Sequence, residues 1–432
     1  MPRPAARLLL PLAGLVVLAT VVTGTVIRQT VGGLGTATPP FVMSWLPDAE
    51  APWALVAVSV AAAAAWAAPR LAVARLPAAA WLAAVTLLTL VLGLALNAVR
   101  NGPLGWHEIF LLGPGGSFEA KNEYLPGLPA LGYGPGYFLD RFAELVPSLP
   151  VNVAGHPPAL MLVIDALGIT SSEGLAALCI GAAALTPAAG YAVASGLGLG
   201  ASRARLAALL AAFSPMLLLF GVTSADAILM AVGAVAAALL VSRRPAVRVA
   251  GCAALALASV FSWALLAIGA WGAVAVLVRE GWRAGLVLAA GCGVAVLVLD
   301  GGLALATGYD PIGTLAATEA YYRNSVASER PYAFWLFGSP VAFAVMLGLP
   351  TAAAALVAAG RRLPAGVAIA TVIGVASVAG FTKAETERIW LIFVPLACVA
   401  AAEVLPATRM RVVAPLMAAQ AVVVVLLFQT IW

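Results

Sequence analysis

Long apolar segments recur along the chain of 432 residues, and they constrain its fold more than any other feature. A helix that spans the hydrocarbon core of a bilayer needs about 20 mainly apolar residues, with a range of roughly 17 to 25. Thirteen segments come close to this length, and we predict that each spans a membrane: 8–27, 52–68, 78–98, 173–197, 204–221, 225–242, 246–262, 263–278, 284–306, 334–358, 364–381, 388–405 and 412–431. Only 9% of the residues are charged, against about 25% in an ordinary soluble domain. The sequence excludes a soluble protein and predicts an all-α, polytopic transmembrane helical bundle.

The positions of the charged residues predict how the spans are oriented. If the N-terminus is cytoplasmic, 15 of the 23 basic residues fall on the cytoplasmic side, as the positive-inside rule requires. They are Arg3, Arg7, Arg70, Arg75, Arg203, Arg205, Arg243, Arg244, Arg248, Arg279, Arg283, Arg361, Arg362, Arg409 and Arg411. Of the 18 acidic residues, only Glu280 and Glu403 accompany them. Acidic residues contribute little to orientation, so we expect their collection on the other face to mark the chemistry. The protein is predicted to be a multi-pass protein of the plasma membrane with an extracytoplasmic active face.

The spans divide the chain into three parts. Residues 1–98 form an N-terminal segment of three spans, 99–172 an extracytoplasmic loop with juxtamembrane helices, and 173–432 a bundle of ten spans. The loop is rich in Gly, Pro and aromatic residues, which favours a cap of short helices on the membrane surface. Its last apolar stretch, from His156 to Ile169, is too short to span and predicts a re-entrant or interfacial helix. The first apolar run resembles a signal peptide, but we expect it to be a retained span because so many others follow.

Several kinds of chemistry have no support in the sequence. All four cysteines, Cys179, Cys252, Cys292 and Cys398, lie within apolar runs, and there is no CxxC or HExxH motif. A disulfide framework and a dedicated zinc site are therefore not indicated, although a bound divalent cation stays open. The glycines at 196, 198 and 200 close an apolar helix without a following Lys-Ser or Lys-Thr, so they are not a nucleotide loop. The basic residues follow the topology, and no nucleic-acid partner is indicated.

The long outer loop carries the first candidate site. Glu123 lies in the segment Glu-Ala-Lys-Asn-Glu-Tyr, beside Tyr124 and upstream of Asp140. A carboxylate that is partly shielded from water has a raised pKa and can take a proton from a sugar hydroxyl. Glu123 is the predicted general base, and Tyr124 and Asp140 are predicted to bind substrate. The alternative is that these acids are solvated loop charges.

Two further candidates lie at the starts of helices. His156 precedes Pro157 and Pro158, which are tolerated at a helix start and would hold the imidazole at the membrane surface. Asp226 follows Thr223 and Ser224 at an outer turn, where an acid can point into a water-filled cavity and bind a hydroxyl. Both have a structural alternative: His156 as a capping or core residue, and Asp226 as a favourable charge in the first helical turn.

Cationic and aromatic side chains occur in two later outer loops. The first loop contains Arg323, Arg330 and Tyr332, and the second contains Lys383, Glu385, Glu387 and Arg388. Arginine forks hold phosphate groups and aromatic rings stack on sugars, which suits a sugar-phosphate donor. We predict Arg388, Lys383, Arg330 and Arg323 as phosphate ligands, and Tyr332, Glu385 and Glu387 as substrate ligands. The alternatives are an interfacial aromatic belt with arginines reaching the surface and, for Arg388, an ion pair with Glu385, Glu387 or a lipid phosphate.

The order of these motifs resembles that of the C-type glycosyltransferase (GT-C) superfamily. The similarity covers residues 119 to 405 in the style of protein O-mannosyltransferases and aminoarabinose transferases, and more closely of uncharacterised actinobacterial membrane proteins. It implies that Glu123 matches the first-loop acid, His156 the start of the next helix, Asp226 the rim acid and Arg388 the late basic position. The chain departs from the pattern in having Asn122 where an adjacent acid is usual, and in two extra spans before the loop.

The resemblance implies a membrane glycosyltransferase. Such enzymes move a sugar, with inversion, from a polyprenyl-phosphate donor to a glycan, lipid or protein acceptor of the cell envelope, on the extracytoplasmic side of the bilayer. Two alternatives remain from the residues themselves. A transporter or lipid flippase would place its charged site near the bilayer midplane within repeated halves, and a non-catalytic scaffold of envelope assembly would lack an outward cavity joining Glu123, Asp226 and Arg388.

Overall fold

The computed structural model describes residues 3–380 and 382–430, which are almost entirely helical. The α-helices in chain order are α1 (Arg3–Thr30), α2 (Ala51–Val73), α3 (Ala78–Asn101), α4 (Pro135–Asp140), α5 (Phe142–Leu145), α6 (Val151–Ala154), α7 (Ala159–Ala166), α8 (Ser172–Ala184), α9 (Thr186–Gly196), α10 (Ala201–Ala212), α11 (Pro215–Phe220), α12 (Asp226–Leu240), α13 (Pro245–Ser259), α14 (Leu266–Glu280), α15 (Trp282–Thr307), α16 (Pro311–Arg323), α17 (Tyr332–Leu347), α18 (Leu349–Gly360), α19 (Pro364–Ala379), α20 (Thr386–Ile389), α21 (Val394–Ala402) and α22 (Met410–Leu427). Phe381 and Ile431, the last residues of two predicted spans, lie outside the described residues.

Seven helical segments within the described residues are long and apolar enough to cross a membrane. They are α1 from Pro11, α2, α3, the continuous pair of α8 and α9, α14 with the turn before it, α15, and α22 with the turn before it. An eighth is reached if α17 and α18 count as one span, although they are bent by 115°. The bend lies at Gly348, whose φ of +105° is rarely adopted by residues with a side chain. The chain is therefore a helical membrane protein, as its hydropathy predicts.

Besides the bent pair of α17 and α18, five of the thirteen predicted spans have no single long helix. α12, α13 and α19 are apolar but have only 15, 15 and 16 residues. The predicted span 204–221 is broken between α10 and α11, because Pro215 holds Ser214 in an extended conformation with ψ of 120°. The predicted span 388–405 is broken into α20, a 3-10 turn at Trp390–Phe393, and α21. Apolar composition predicts continuous helix in these places, but the part of the chain that the structure describes does not contain thirteen full-length helices.

Short helices fill the segment between α3 and α8, as predicted for residues 99–172. Besides α4 to α7 they comprise the 3-10 helices Gly105–Phe110, Phe118–Asn122, Leu125–Leu131 and Val146–Ser148. The first of these packs against α3 and α8, and α5 packs against α16. Phe138 and Phe142 are fully buried and meet edge to face. This segment forms a packed layer that holds Glu123 and His156 at one end of the bundle.

Polar contacts tie the helix turns at the other end. Arg279 donates hydrogen bonds from its Nη atoms to the carbonyl oxygens of Gly196 (3.4 Å) and Val241 (2.7 Å), which close α9 and α12. Arg248 contacts Glu280 at 2.5 Å between Nη2 and Oε1. Arg205 donates to the backbone of the turn between α2 and α3. Several of the arginines predicted to lie on one side of the membrane thus share one end of the bundle.

A two-stranded sheet is the unpredicted element. β1 (Met43–Trp45) pairs antiparallel with β2 (Phe428–Thr430), with Ser44 opposite Gln429. The prediction of helix in this segment is therefore wrong for residues 428–430. Arg100 explains where α22 ends, because its guanidinium donates to the carbonyl oxygens of Val425 (3.0 Å), Leu426 (3.3 Å) and Phe428 (3.2 Å). These carbonyls have no partner within the helix.

Candidate functional site

Four charged side chains from distant parts of the sequence form a buried chain of ion pairs. Arg388 lies at its centre, with Nη1 3.2 Å from Oδ2 of Asp226 and Nη2 3.4 Å from Oε2 of Glu385. The other oxygen of Glu385 is 2.9 Å from Nη2 of Arg330. The side chains of Asp226, Arg388 and Arg330 are at most 8% exposed, and that of Glu385 is 22% exposed. We call Asp226, Arg388, Glu385 and Arg330 the charge chain; removing one member would leave buried charge without compensation.

Asp226 is held by the turn that precedes α12. Ser224 donates a hydrogen bond from Oγ to Oδ2 of Asp226 (2.7 Å), and the same Oγ accepts one from the Asp226 amide (3.1 Å). A negative charge in the first turn of a helix also interacts favourably with the helix dipole. Asp226 therefore stabilises the start of α12, as its structural alternative predicts, and also forms an ion pair with Arg388.

Glu385 and Arg388 are presented by a strained turn before α20. Ala384 and Glu385 have φ angles of +67° and +61°, in the left-handed region that side chains disfavour. The turn is braced by Thr386, whose Oγ1 donates to the Ser339 carbonyl at 2.8 Å. Such strain persists only where surrounding contacts impose it, and it is frequent at functional sites. Here it places Glu385 between two guanidinium groups.

Glu123 lies close to the charge chain and is 1% exposed. Its Oε1 accepts a hydrogen bond from Nδ2 of Asn152 at 2.8 Å, whereas its Oε2 is buried without a partner among the described residues. Burial raises the pKa of Glu123 to about 8; Arg388 and the Asn152 hydrogen bond lower it, and the negative charge of Asp226 raises it. A carboxyl group with such a pKa can gain or lose a proton near neutral pH, as acids and bases in active sites do.

His156 and Tyr124 lie in the same region. Nδ1 of the half-buried His156 is 3.1 Å from Oγ of Ser262, in the turn before α14. Burial lowers the pKa of His156, with Asp226 opposing and Arg388 adding to the effect, so the imidazole is neutral at neutral pH. Tyr124 is 2% exposed, and burial raises its pKa well above the ordinary value. Both side chains can act as neutral hydrogen-bonding groups.

Lys383 and Glu387 lie near members of the charge chain in the sequence. Among the residues that the structure describes, their charged groups contact backbone atoms and form no ion pair with the charge chain. The ammonium of Lys383 donates to the carbonyl oxygens of Ala327 (3.3 Å) and Arg330 (3.1 Å), so it braces the loop that carries Arg330. Glu387 is fully buried and accepts a hydrogen bond from the Val42 amide. Burial raises the pKa of Glu387 to about 7. The geometry thus gives Lys383 and Glu387 bracing contacts, where the sequence suggested ligands.

Three predicted site residues point away from the charge chain. Asp140 is 53% exposed and lies 3.4 Å from Nε of Arg141, measured from Oδ2. Arg323 is 74% exposed and pairs with Glu319 one helical turn away. Tyr332 is 44% exposed, and its hydroxyl donates to the Val378 carbonyl. These three residues are close to site residues in the sequence, but the helices that carry them expose their side chains on the surface.

Other contributors were not singled out from the sequence. Asn152 orients Glu123, Ser262 contacts His156, and the hydroxyl of Tyr322 accepts a hydrogen bond from the Lys383 amide at 3.1 Å. Asn and Ser are common in loops, so their identity carries little signal. The spacing of Asn152 and His156, four residues apart in the outer loop, was the available hint.

A polar cavity of about 550 Å³ adjoins this site. It lies between α3, α22, β2 and the loop 108–119, and its wall includes Glu119 and Thr223. Glu119 precedes Glu123 by four residues and its charge raises the pKa of Glu123, while Thr223 precedes Asp226 in one turn. Glu123, Asp226 and Arg388 do not themselves line this cavity; Glu123 and Asp226 each follow a residue of its wall by three or four positions.

No protein-family model, curated protein sequence or solved structure matches the chain. Within residues 3–380 and 382–430, no three His, Cys, Asp or Glu side chains gather in a way that could hold a metal ion. The divalent cation left open by the sequence therefore has no ligand set among these residues.

Proposed function

We propose that the protein is a membrane glycosyltransferase of the GT-C type. It moves a sugar from a polyprenyl-phosphate donor to an acceptor of the cell envelope, on the extracytoplasmic face of the plasma membrane. The observation that carries the proposal is the buried carboxyl group of Glu123, which has one oxygen without a partner among the described residues and lies near the cationic Arg388. A base and a cation held close together are what sugar transfer from a phosphate requires.

The reaction follows from these two groups. Oε2 of Glu123 takes the proton of an acceptor hydroxyl while the hydroxyl oxygen attacks the anomeric carbon from the side opposite the phosphate. The bond between that carbon and the phosphate oxygen breaks, and its electron pair leaves with the polyprenyl phosphate. Arg388 and Arg330 stabilise the phosphate, which competes with Glu385 for the longer 3.4 Å contact of Arg388. His156 and Tyr124 supply neutral hydrogen bonds to the sugar.

An apolar cavity supplies a place for the polyprenyl chain. It has a volume of about 350 Å³ and lies between α1, α17, α18, α19 and α21. On α17 its lining includes Pro340, which follows Ser339, and the Ser339 carbonyl accepts a hydrogen bond from Thr386, two residues before Arg388. A donor with its tail in this cavity has its phosphate near the charge chain.

The same proposal accounts for the broken helices. The five shorter or broken segments are α10 with α11, α12, α13, α19, and α20 with α21. Together with the eight longer segments they give thirteen passages, with the basic end of the bundle cytoplasmic. A helix broken inside a membrane is tolerated where protein or a cavity covers its free backbone groups. The break at Trp390–Phe393 begins two residues after Arg388, where a polar site needs such backbone.

The test is transfer from a panel of radiolabelled polyprenyl-phosphate sugars, using wild-type protein and Glu123→Gln in membranes. A general base contributes ~10²–10⁴-fold, so we expect turnover in Glu123→Gln to fall by about that factor while the protein stays folded. Glu144→Gln is the matched control, because Glu144 is an exposed acid of the same segment that pairs with Arg141. Full activity of Glu123→Gln would remove Glu123 from the mechanism. Absence of transfer by the wild type from every donor would favour a scaffold or a transporter.

A further inference from the structure

An apolar groove opens on the side of the bundle between α2, α3 and α8. It has a volume of about 610 Å³, and its lining is apolar apart from Asn97. Trp53 and Trp106 line it near the end where α3 closes, and tryptophan is typical of the interface between membrane and water. The three helices are all parts of candidate spans. The groove therefore faces the hydrocarbon region and reaches the interface at one end.

The groove adjoins the polar cavity beside Glu123. Asn97 lines both the groove and the cavity, and the next turn of α3 continues into the cavity with Arg100 and Asn101. The far wall of the cavity contains Glu119 and Thr223. A molecule with an apolar tail in the groove can thus place its head group in the cavity, next to the buried carboxyl group.

The charges of the cavity indicate which head group fits. Its lining residues include the acids Asp48, Glu108 and Glu119 and the single cation Arg100. The guanidinium of Arg100 is already engaged, because it donates to carbonyl oxygens of α22 and of Leu46. An anionic head group would meet carboxylates without a cation to bind. Hydroxyl groups can donate to the same carboxylates.

We propose that the acceptor is a lipid-anchored polyol without net negative charge, which enters the polar cavity laterally from the bilayer through the groove between α2, α3 and α8. This inference rests on the proposed transferase function and names its acceptor class. Donor and acceptor approach from different sides: the donor tail lies at the bend between α17 and α18, and the acceptor tail lies against α3. Glu123 is influenced by the charge of Arg388 on the donor side and by that of Glu119, a residue of the cavity wall, on the acceptor side.

Binding can be measured without turnover, which separates this proposal from the transferase function. Purified protein in phosphatidylcholine nanodiscs is labelled with a photoreactive dodecyl maltoside, a neutral polyol on an alkyl chain, and the labelled peptides are mapped. We expect labelling on α2, α3 and α8. Unlabelled dodecyl maltoside should compete more than about tenfold better than maltose, which lacks the tail, or phosphatidylglycerol, whose charge opposes the acidic lining. Equal competition by either compound would overturn the proposal.

Two glycine variants test the route. Gly181 lines the groove and Gly293 lies on α15 away from it; in both, an added Cβ meets no atom within 4 Å. We expect Gly181→Phe to reduce labelling at α2, α3 and α8 by about tenfold and Gly293→Phe to leave it unchanged. Gly181→Leu replaces Gly181→Phe if the larger side chain prevents folding. Unchanged labelling in a folded Gly181 variant would refute the route. Labelling that behaves as expected while no donor sugar is transferred would instead refute the transferase proposal alone.

Discussion

The two ends of α12 carry charge networks of similar composition and different burial. At the C-terminal end, Oε1 of Glu280 lies 2.5 Å from Arg248 and 2.7 Å from Arg279, with side chains between 9% and 29% exposed. At the N-terminal end, Asp226 and Arg388 are each 8% exposed. The 15 residues of α12 separate the networks by about 22 Å. The same residue types thus serve two purposes along one helix.

The difference lies in the balance of charge and in access to water. The C-terminal network has two arginines for one glutamate and ties helix ends together. The N-terminal region has the buried carboxyl groups of Glu123, Asp226 and Glu387 and the partly exposed one of Glu385, for the guanidinium groups of Arg330 and Arg388. A buried surplus of carboxyl groups is relieved when some of them hold protons. This explains why the pKa values of Glu123 and Glu387 are raised, and why proton chemistry is expected at this end.

Removing Arg388 is expected to lower the free energy of unfolding more than any other substitution in the two networks. Arg388→Met leaves Asp226 and Glu385 buried without their shared cation, which should lower the free energy of unfolding by about 3–5 kcal/mol. Arg388→Lys keeps the charge and should lose less. Denaturant unfolding in detergent micelles measures both variants. If Arg388→Met is as stable as the wild type, the charge chain is not the tightly coupled network described above.

Proton binding at Glu123 should respond to Asn152. Asn152→Ala removes the hydrogen bond that favours the charged carboxylate, so the pKa of Glu123 should rise above about 8, by about one unit. Infrared titration of the protonated carboxyl band, assigned by its absence in Glu123→Gln, measures the shift. Asn324→Ala, an exposed amide at the end of α16, is the control and should leave the band unchanged. A downward shift in Asn152→Ala would contradict the assigned role of this hydrogen bond.

Glu387 should make stability depend on pH. Folding raises the pKa of Glu387 from its ordinary 4.5 to about 7, so between these values the folded state binds the proton more tightly than the unfolded state does. The free energy of unfolding should therefore fall as pH rises from about 4.5 to 7. Glu387→Gln keeps an acceptor for the Val42 amide and should show a smaller fall. Thermal unfolding at pH 5 and pH 8 measures this, with Glu144→Gln as the control. Identical pH dependence of Glu387→Gln and the wild type would disprove it.

The smallest effect is expected at the C-terminal end of α12. Arg248→Met removes one of two arginines from Glu280, which keeps its contact with Arg279. For a partly exposed pair of this kind we expect a loss of about 0–1 kcal/mol in the free energy of unfolding. The measurement is the same denaturant unfolding used for Arg388. A loss as large as that of Arg388→Met would erase the distinction between the two networks.

Part of the candidate site was predictable from residue type and position. Asp226, Glu123 and Arg388 stood out because charged residues at the ends of apolar segments need a partner or a cavity. The pairing of Arg388 with Glu385 was among the alternatives considered, and the structure has it. Glu387 illustrates the limit: its partner is the backbone of Val42, which any sequence would provide.

The sequence by itself determined that this protein is a largely helical membrane bundle with short helices between residues 99 and 172. Hydropathy and the content of glycine and proline determine structure over a few helical turns, so a short stretch of sequence is enough to predict their effect. The tertiary structure alone decided where the apolar segments break, which carboxyl groups lose water, and that Asn97 lines both a groove and a cavity. These properties depend on the packing of residues far apart in the chain, because desolvation and ion pairing are set by neighbours in space.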